Sequence, residues 1–249
     1  MSASASKVPA VTLAFWIIKV AATTLGETGG DTVSMSMNLG YLVGTLIFAA
    51  IFVGAVVVQI KAKQFHPFLY WTTIIATTTV GTTLADYADR SLGIGYAGGA
   101  SLLLVLLLAS LAVWHWSLGS VSVDTVNTPK AEMFYWLTIM FSQTLGTAVG
   151  DWLADTEGVG YIGGAIVFGS LLALVAAAYF WTHLSRTLLF WAAFILTRPL
   201  GAVVGDFLDK PRDAGGLALS RFSASAALAA FIIACILIFP QRPAKGAGH

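Results

Sequence analysis

Four segments of this chain align without a gap, and that internal repeat restricts the fold more than any other feature. They are FWIIKVAATTLGETGGD (15–31), YWTTIIATTTVGTTLAD (70–86), YWLTIMFSQTLGTAVGD (135–151) and FWAAFILTRPLGAVVGD (190–206). Each opens on an aromatic-Trp pair, places a glycine ten residues after the Trp, and ends on an aspartate five residues later. The tryptophans are Trp16, Trp71, Trp136 and Trp191, the glycines Gly26, Gly81, Gly146 and Gly201, and the aspartates Asp31, Asp86, Asp151 and Asp206. A second marker, GYLVG, GYAGG or GYIGG, follows in the first three copies, with Gly40, Gly95 and Gly160 each before a tyrosine. The fourth copy has Gly215-Gly216 and no tyrosine there. A fixed internal period is the signature of a repeat architecture.

Each copy holds two apolar runs long enough to cross a bilayer. Eight spans are expected, near 8–30, 39–60, 68–88, 94–116, 133–153, 159–181, 187–207 and 216–239, in repeats of about 8–60, 66–118, 131–183 and 186–240. Hydrophobic residues make up 57% and charged residues only 10%, less than half the share usual in soluble domains. The runs do not alternate, and barrel strands are about half as long. The expected fold is therefore an all-α integral membrane protein, eight transmembrane helices from four tandem two-helix repeats forming a single transmembrane domain. Two spans per unit give all copies one orientation, a parallel repeat rather than the inverted repeat of many secondary transporters.

The pattern resembles a bacterial family of uncharacterised membrane-anchored proteins, described as four tandem repeats with two transmembrane regions and a shared tryptophan in each. The resemblance covers nearly the whole chain, with Trp16, Trp71, Trp136 and Trp191 as the matching marker. It implies the fold and topology and no activity, so function has to come from the residues.

Lysines and arginines set orientation. Lys7, Lys61, Lys63, Lys130, Arg186, Arg242 and Lys245 share one side, and Arg90, Lys210 and Arg212 lie among acids in the opposite loops. Both termini are expected in the cytoplasm, the first span retained rather than cleaved, and the protein in the bacterial inner membrane. A net charge of +1 gives no footprint for nucleic acid. Cys235 stands alone, so no intrachain disulfide forms.

The odd helices carry the chemistry. Three, seven, eleven and fifteen residues after each Trp stand Lys19, Thr23, Glu27 and Asp31; Ile74, Thr78, Thr82 and Asp86; Ile139, Gln143, Thr147 and Asp151; Phe194, Arg198, Ala202 and Asp206. Residues four apart share a helix face, so each odd helix bears one polar stripe. Charges within a span face the bundle interior or a water-filled cavity, so the stripes are expected to face inward. Lys19 with Glu27, and Arg198 with Asp206, are two turns apart and able to pair directly or through a neighbour. The four aspartates, about 22 Å along the helix from the tryptophans, suit a cation-attracting vestibule at the external mouth or a solvated helix end. Asp89, Asp155, Glu157, Asp209 and Asp213 add negative charge on that side. Gly26/Gly30, Gly146/Gly150 and Gly201/Gly205 are GxxxG pairs for close helix packing, with Gly81/Ala85 the small-residue version. Pro199, one residue past Arg198, should loosen its helix and free a carbonyl.

Other patterns point nowhere. Two GxGxxG matches, beginning at Gly93 and Gly158, lack the strand a dinucleotide site needs. His66, His115, His183 and His249 share no stripe with a carboxylate. A retinal Schiff base needs a lysine in the last span, which has none. The tryptophans, with Tyr41, Tyr96 and Tyr161, are expected in aromatic belts at the two membrane interfaces.

The stripes suggest a transporter moving a small polar substrate, best a cation, through a central polar cavity. Glu27, Asp31, Asp86, Asp151 and Asp206 are the candidate metal ligands, hard oxygens suited to Mn²⁺ or Mg²⁺. Lys19 and Arg198 argue for a coupled transporter over an open pore. The alternatives are an ion channel, or a structural or accessory membrane protein whose charges only tie helices together. No enzyme and no cofactor is expected. The lipid bilayer and a small polar or cationic substrate are the expected partners, with a homo-oligomer open.

Overall fold

The computed structural model describes residues 6–156 and 158–244; Glu157, Lys245 and His249 lie outside the described residues. Eight α-helices are described: α1 (Leu13–Asp31), α2 (Gly40–Lys61), α3 (Pro67–Asp86), α4 (Tyr96–Leu118), α5 (Pro129–Asp151), α6 (Gly160–Trp181), α7 (Arg186–Asp209) and α8 (Arg221–Ile238). Thr12, Thr128 and Ser185 cap α1, α5 and α7 by accepting from backbone N–H groups of the first turn. Pro67 and Pro129 sit in the first turns of α3 and α5, where a missing N–H costs nothing.

α1, α3, α5 and α7 form a closed inner ring, each touching two neighbours, with α7 returning to α1. Each outer helix packs on the inner helix of the following repeat: α2 on α3, α4 on α5, α6 on α7, and α8 on α1. The register makes the ring parallel. At one end Phe15 meets Trp71, Tyr70 meets Trp136, Tyr135 meets Trp191 and Phe190 meets Trp16, with ring centroids 5.4–6.3 Å apart. Further along, the repeat glycines receive the next copy's residue at the seventh position after its Trp: Gly26 faces Thr78, Gly81 faces Gln143, Gly146 faces Arg198 and Gly201 faces Thr23. One turn on, Gly30 faces Thr82, Gly150 faces Ala202 and Gly205 faces Glu27. A Cβ at Gly81 would lie 3.0 Å from the Gln143 backbone, which is why small residues recur there.

α2, α4, α6, α7 and α8 are long and apolar enough to cross a membrane. α1, α3 and α5 are richer in threonine, and the ring and the outer helices enclose them. Their threonines return hydrogen bonds to carbonyls one turn back, as Thr77 does to Thr73 and Thr73 to Leu69. The outer helices expose apolar side chains such as Leu46, Val105, Ile166 and Leu237, the surface that lipid requires.

α1, α3 and α5 do not end at their aspartates. Each continues as a π-helical turn, Thr32–Ser36, Tyr87–Ser91 and Trp152–Thr156. Two left-handed residues then reverse the chain: Asn38 and Gly40, Gly93 and Gly95, Gly158 and Gly160. That geometry accounts for the GxG pairs, because left-handed backbone favours glycine. In the fourth repeat α7 stays α-helical to Asp209, and Gly215 and Ala218 make the left-handed turn.

Two span ends move inward. Residues 8–12 precede α1 because Pro9 and Pro243 pair as a β-bridge, with Ala10 N–H donating to Arg242 and Ala244 N–H to Val8. Residues 217–219 fold back on the end of α7, donating to Phe207, Lys210 and Leu208, so α8 begins at Arg221.

The repeat tryptophans correct the belt expectation. Trp71, Trp136 and Trp191 are buried and Trp16 partly so, packed between inner helices rather than facing lipid. Tyr161 is also buried. Trp116 and Trp181, each 82% exposed, have the lipid-facing position.

Candidate functional site

All twelve stripe residues converge: Lys19, Thr23, Glu27, Asp31, Thr78, Thr82, Asp86, Gln143, Thr147, Asp151, Arg198 and Asp206 are each at most 3% exposed. Five layers stack along the ring axis, an aromatic floor and the four stripe positions. The floor is aromatic, Phe15, Tyr70, Tyr135 and Phe190, with the Tyr70 and Tyr135 hydroxyls 2.6 Å apart. Lys19, Ile74, Ile139 and Phe194 come next, and the Lys19 ammonium sits 4.2 Å from the Phe194 ring centroid.

Arg198 occupies the centre. It starts seven residues after Trp191, and its Nη2 reaches the eleventh-position residues of all three other repeats. It donates to Glu27 Oε2 at 2.8 Å, to the Thr82 hydroxyl and to the Thr147 hydroxyl. The Thr82 hydroxyl lies 3.3 Å from Glu27 Oε2 as well. In the fourth repeat this position is Ala202, with no polar side chain to compete. The expected same-helix pairings therefore give way: Glu27 pairs with Arg198 across the ring, and Lys19 pairs with neither Glu27 nor any other carboxylate among the described residues.

Above Arg198 the carboxylates crowd. Oxygens of Glu27, Asp31 and Asp86 fall within 4.8 Å of one another, and so do those of Glu27, Asp151 and Asp206. Glu27 is thus common to both halves of the aspartate ring. The aspartates are not solvated helix ends. Arg90 bridges Asp86 at 2.9 Å and Asp151 at 3.4 Å. Lys210 bridges Asp31 at 2.7 Å and Asp206 at 3.0 Å. Each cation spans the aspartate of its own repeat and that of the next, so the two caps are related by a pseudo-two-fold axis inside the four-fold ring. Arg221 binds Asp209 at 2.9 Å beside them. Burial alone would lower the Lys210 pKa, but Asp206 and Asp31 outweigh it and hold the ammonium above the ordinary lysine range.

The sequence pattern assigns Arg90 and Lys210 to loops. The signal was present: both stand nineteen residues after their Trp, one more step of four along the stripe, and the π-turn and the end of α7 carry the face that far. A second ionic contact, at the end bearing the termini, follows no spacing in the sequence. Buried Lys7 lies 2.6 Å from buried Glu132 and donates to the carbonyls of Gln59, Ile60 and Ala62 at the end of α2. This clasp joins the N-terminal segment to α2 and α5.

The expected open cavity is not what the described residues form. The stripes interlock on the axis, between the aromatic floor and the cationic caps. Two apolar clefts lie outside the ring, one of about 510 Å³ among α1, α7 and α8, including Ile17, Leu228 and Phe231, and one of about 400 Å³ between α6 and α7.

This is a multi-pass all-α membrane protein in which four tandem two-helix units close into one ring around a buried charged axis. The chain belongs to the family described as Repeat of Unknown Function (DUF347), whose profile matches residues 14–65, 69–120, 134–185 and 189–240. No curated protein and no solved structure matches it.

Proposed function

We propose that the protein transports a small cation, with Glu27, Asp31, Asp86, Asp151 and Asp206 as its binding station. One observation carries this reading. Above the axis six carboxylates, Asp209 joining these five, face four cations, Arg198, Arg90, Lys210 and Arg221, so two buried carboxylates lack a counter-charge. Clustered carboxylates that cannot all stay ionised take up protons or a cation. Oxygen donors favour a hard divalent ion such as Mn²⁺ or Mg²⁺ as the substrate. Arg198 acts as a tethered counter-ion, releasing Glu27 when the cation arrives. Closure at both ends of the axis favours alternating access over an open channel. The inner membrane of a bacterium, with both termini cytoplasmic, fits the lysine and arginine bias, and no enzymatic role is proposed.

The test is uptake of Mn²⁺ and Mg²⁺ into proteoliposomes containing the purified protein. Glu27→Gln should abolish uptake while folded protein still accumulates; a native rate in that variant would overturn the reading.

The double bridges of Arg90 and Lys210 favour a second reading, in which the charges only fasten helices. Glu27→Gln would then lower stability and yield first, and native protein would transport neither ion.

A further inference from the structure

We propose that the layer between the aromatic floor and the Arg198–Glu27 pair is a binding site for a monovalent anion, held by Lys19, Thr78, Gln143 and Arg198. This goes beyond the cation reading: it concerns the guanidinium nitrogens that Glu27 does not meet.

Each of these four side chains is 0% exposed. Each comes from a different repeat: Lys19 from α1, Thr78 from α3, Gln143 from α5 and Arg198 from α7. Each carries polar atoms without a hydrogen-bond partner, namely Lys19 Nζ, Thr78 Oγ1, both amide atoms of Gln143, and Arg198 Nε and Nη1. By contrast the fourth side chain at the seventh position, Thr23, is bonded to the carbonyls of Lys19, Val20 and Thr197. Orphaned polar atoms are rare in protein interiors, and here they gather at two adjacent steps of one stripe.

The chemistry of the set selects the ligand. An ammonium, two guanidinium nitrogens and an amide NH₂ are donors; only Gln143 Oε1 and the Thr78 hydroxyl accept. A cation finds no ligand set there. Charge selects further. Lys19 lies within electrostatic reach of Arg198, so two basic side chains share the neighbourhood. The nearby carboxylate, Glu27, is taken by Arg198 Nη2. The Phe194 face at 4.2 Å offers the ammonium a cation–π contact but no acceptor for its N–H groups. Neutral water would satisfy hydrogen bonds and leave the repulsion between Lys19 and Arg198 in place, whereas one monovalent anion answers both. The donors suit a free inorganic anion or the carboxylate of an organic solute.

The test is thermal unfolding of the purified full chain in detergent. Sodium is held constant, and a bulky organic sulfonate is exchanged for chloride, nitrate or acetate. The expected result is a saturable rise in Tm of several degrees, lost in Lys19→Met and in Gln143→Leu. A response to chloride or nitrate identifies a free inorganic anion, and a response to acetate alone a carboxylate group. No saturable shift with any of the three, or an equal shift in Lys19→Met, would overturn the site. Should Lys19→Met not fold, Gln143→Leu removes only a neutral group, and an undiminished shift there is equally decisive. Constant sodium and the absence of divalent ions keep this outcome independent of whether cation transport is found.

Discussion

The Arg198 guanidinium lies 2.8 Å from the Glu27 carboxylate, and both side chains are sealed from solvent. The bond joins the last repeat to the first, so it sits at the seam where the ring closes. Removing the cation leaves Glu27 bare in the interior beside Asp31, Asp86, Asp151 and Asp206. Arg198→Met should therefore cost about 3–5 kcal/mol. Adding Glu27→Gln should return most of that loss, since both charges are then gone. Thermal unfolding of the two single variants and the double variant measures this, and additive losses would contradict it.

The glycine contacts make a sharper contrast. A Cβ at Gly201 collides with the side chain of Thr23 and approaches its backbone, whereas Gly29, on the same helix as Thr23, has nothing within 4 Å of its Cβ position. Gly201→Val should open the α7–α1 contact and abolish accumulation of folded protein. Gly29→Ala should leave the melting temperature unchanged or raise it slightly, because alanine suits a helix better. Yield and Tm compared side by side decide the matter.

Lys210 holds Asp31 and Asp206 together, and its pKa lies above the ordinary lysine value. A cation raised in this way contributes its full stabilisation below its unfolded pKa, about 10.4, and loses it only as the pH climbs through the folded value. The Tm difference between native protein and Lys210→Met should thus persist on the alkaline side up to about pH 10.4. A difference that vanished between pH 7 and 9 would contradict the bridging role. Arg90→Met, the pseudo-two-fold counterpart, should behave alike.

At the other end, Glu132→Gln removes the charge that Lys7 meets at 2.6 Å. A hydrogen bond to a charged group contributes about 1.5–3 kcal/mol, so hydrogen exchange in residues 6–12 should accelerate about tenfold or more. Unchanged protection would show that the β-bridge between Pro9 and Pro243 suffices without the ion pair.

Much of this architecture was legible because helical geometry prints itself on sequence. A spacing of four kept Thr78, Gln143 and Arg198 in register across copies, and the inward stripe followed from the cost of charge in lipid. The pairing of Glu27 with Arg198 rather than Lys19 was not legible, because periodicity fixes a face and not which helix lies opposite. Arg90 and Lys210 escaped for a different reason: the apolar run stops before them, and hydropathy cannot announce a π-turn that prolongs the stripe. Lys7 and Glu132 share no period at all. The tryptophans depart from the belt expectation because an aromatic near a span end suits lipid as well as a neighbouring helix, and only packing against the preceding copy's Phe15, Tyr70, Tyr135 or Phe190 tells the two apart.

The offset of the outer helices bears on how the chain is made. Because α2, α4 and α6 each cover the helix that follows them, every newly inserted repeat is met by an outer helix already in place. The exception is α1, whose flank waits for α8, where Ser225 donates to Thr28 at 2.9 Å. During synthesis the first helix to enter the membrane is therefore the last to be covered. A ribosome stalled before α8 would leave the face of α1 around Thr28 open to whatever insertion factor or quality-control protease samples half-built membrane proteins.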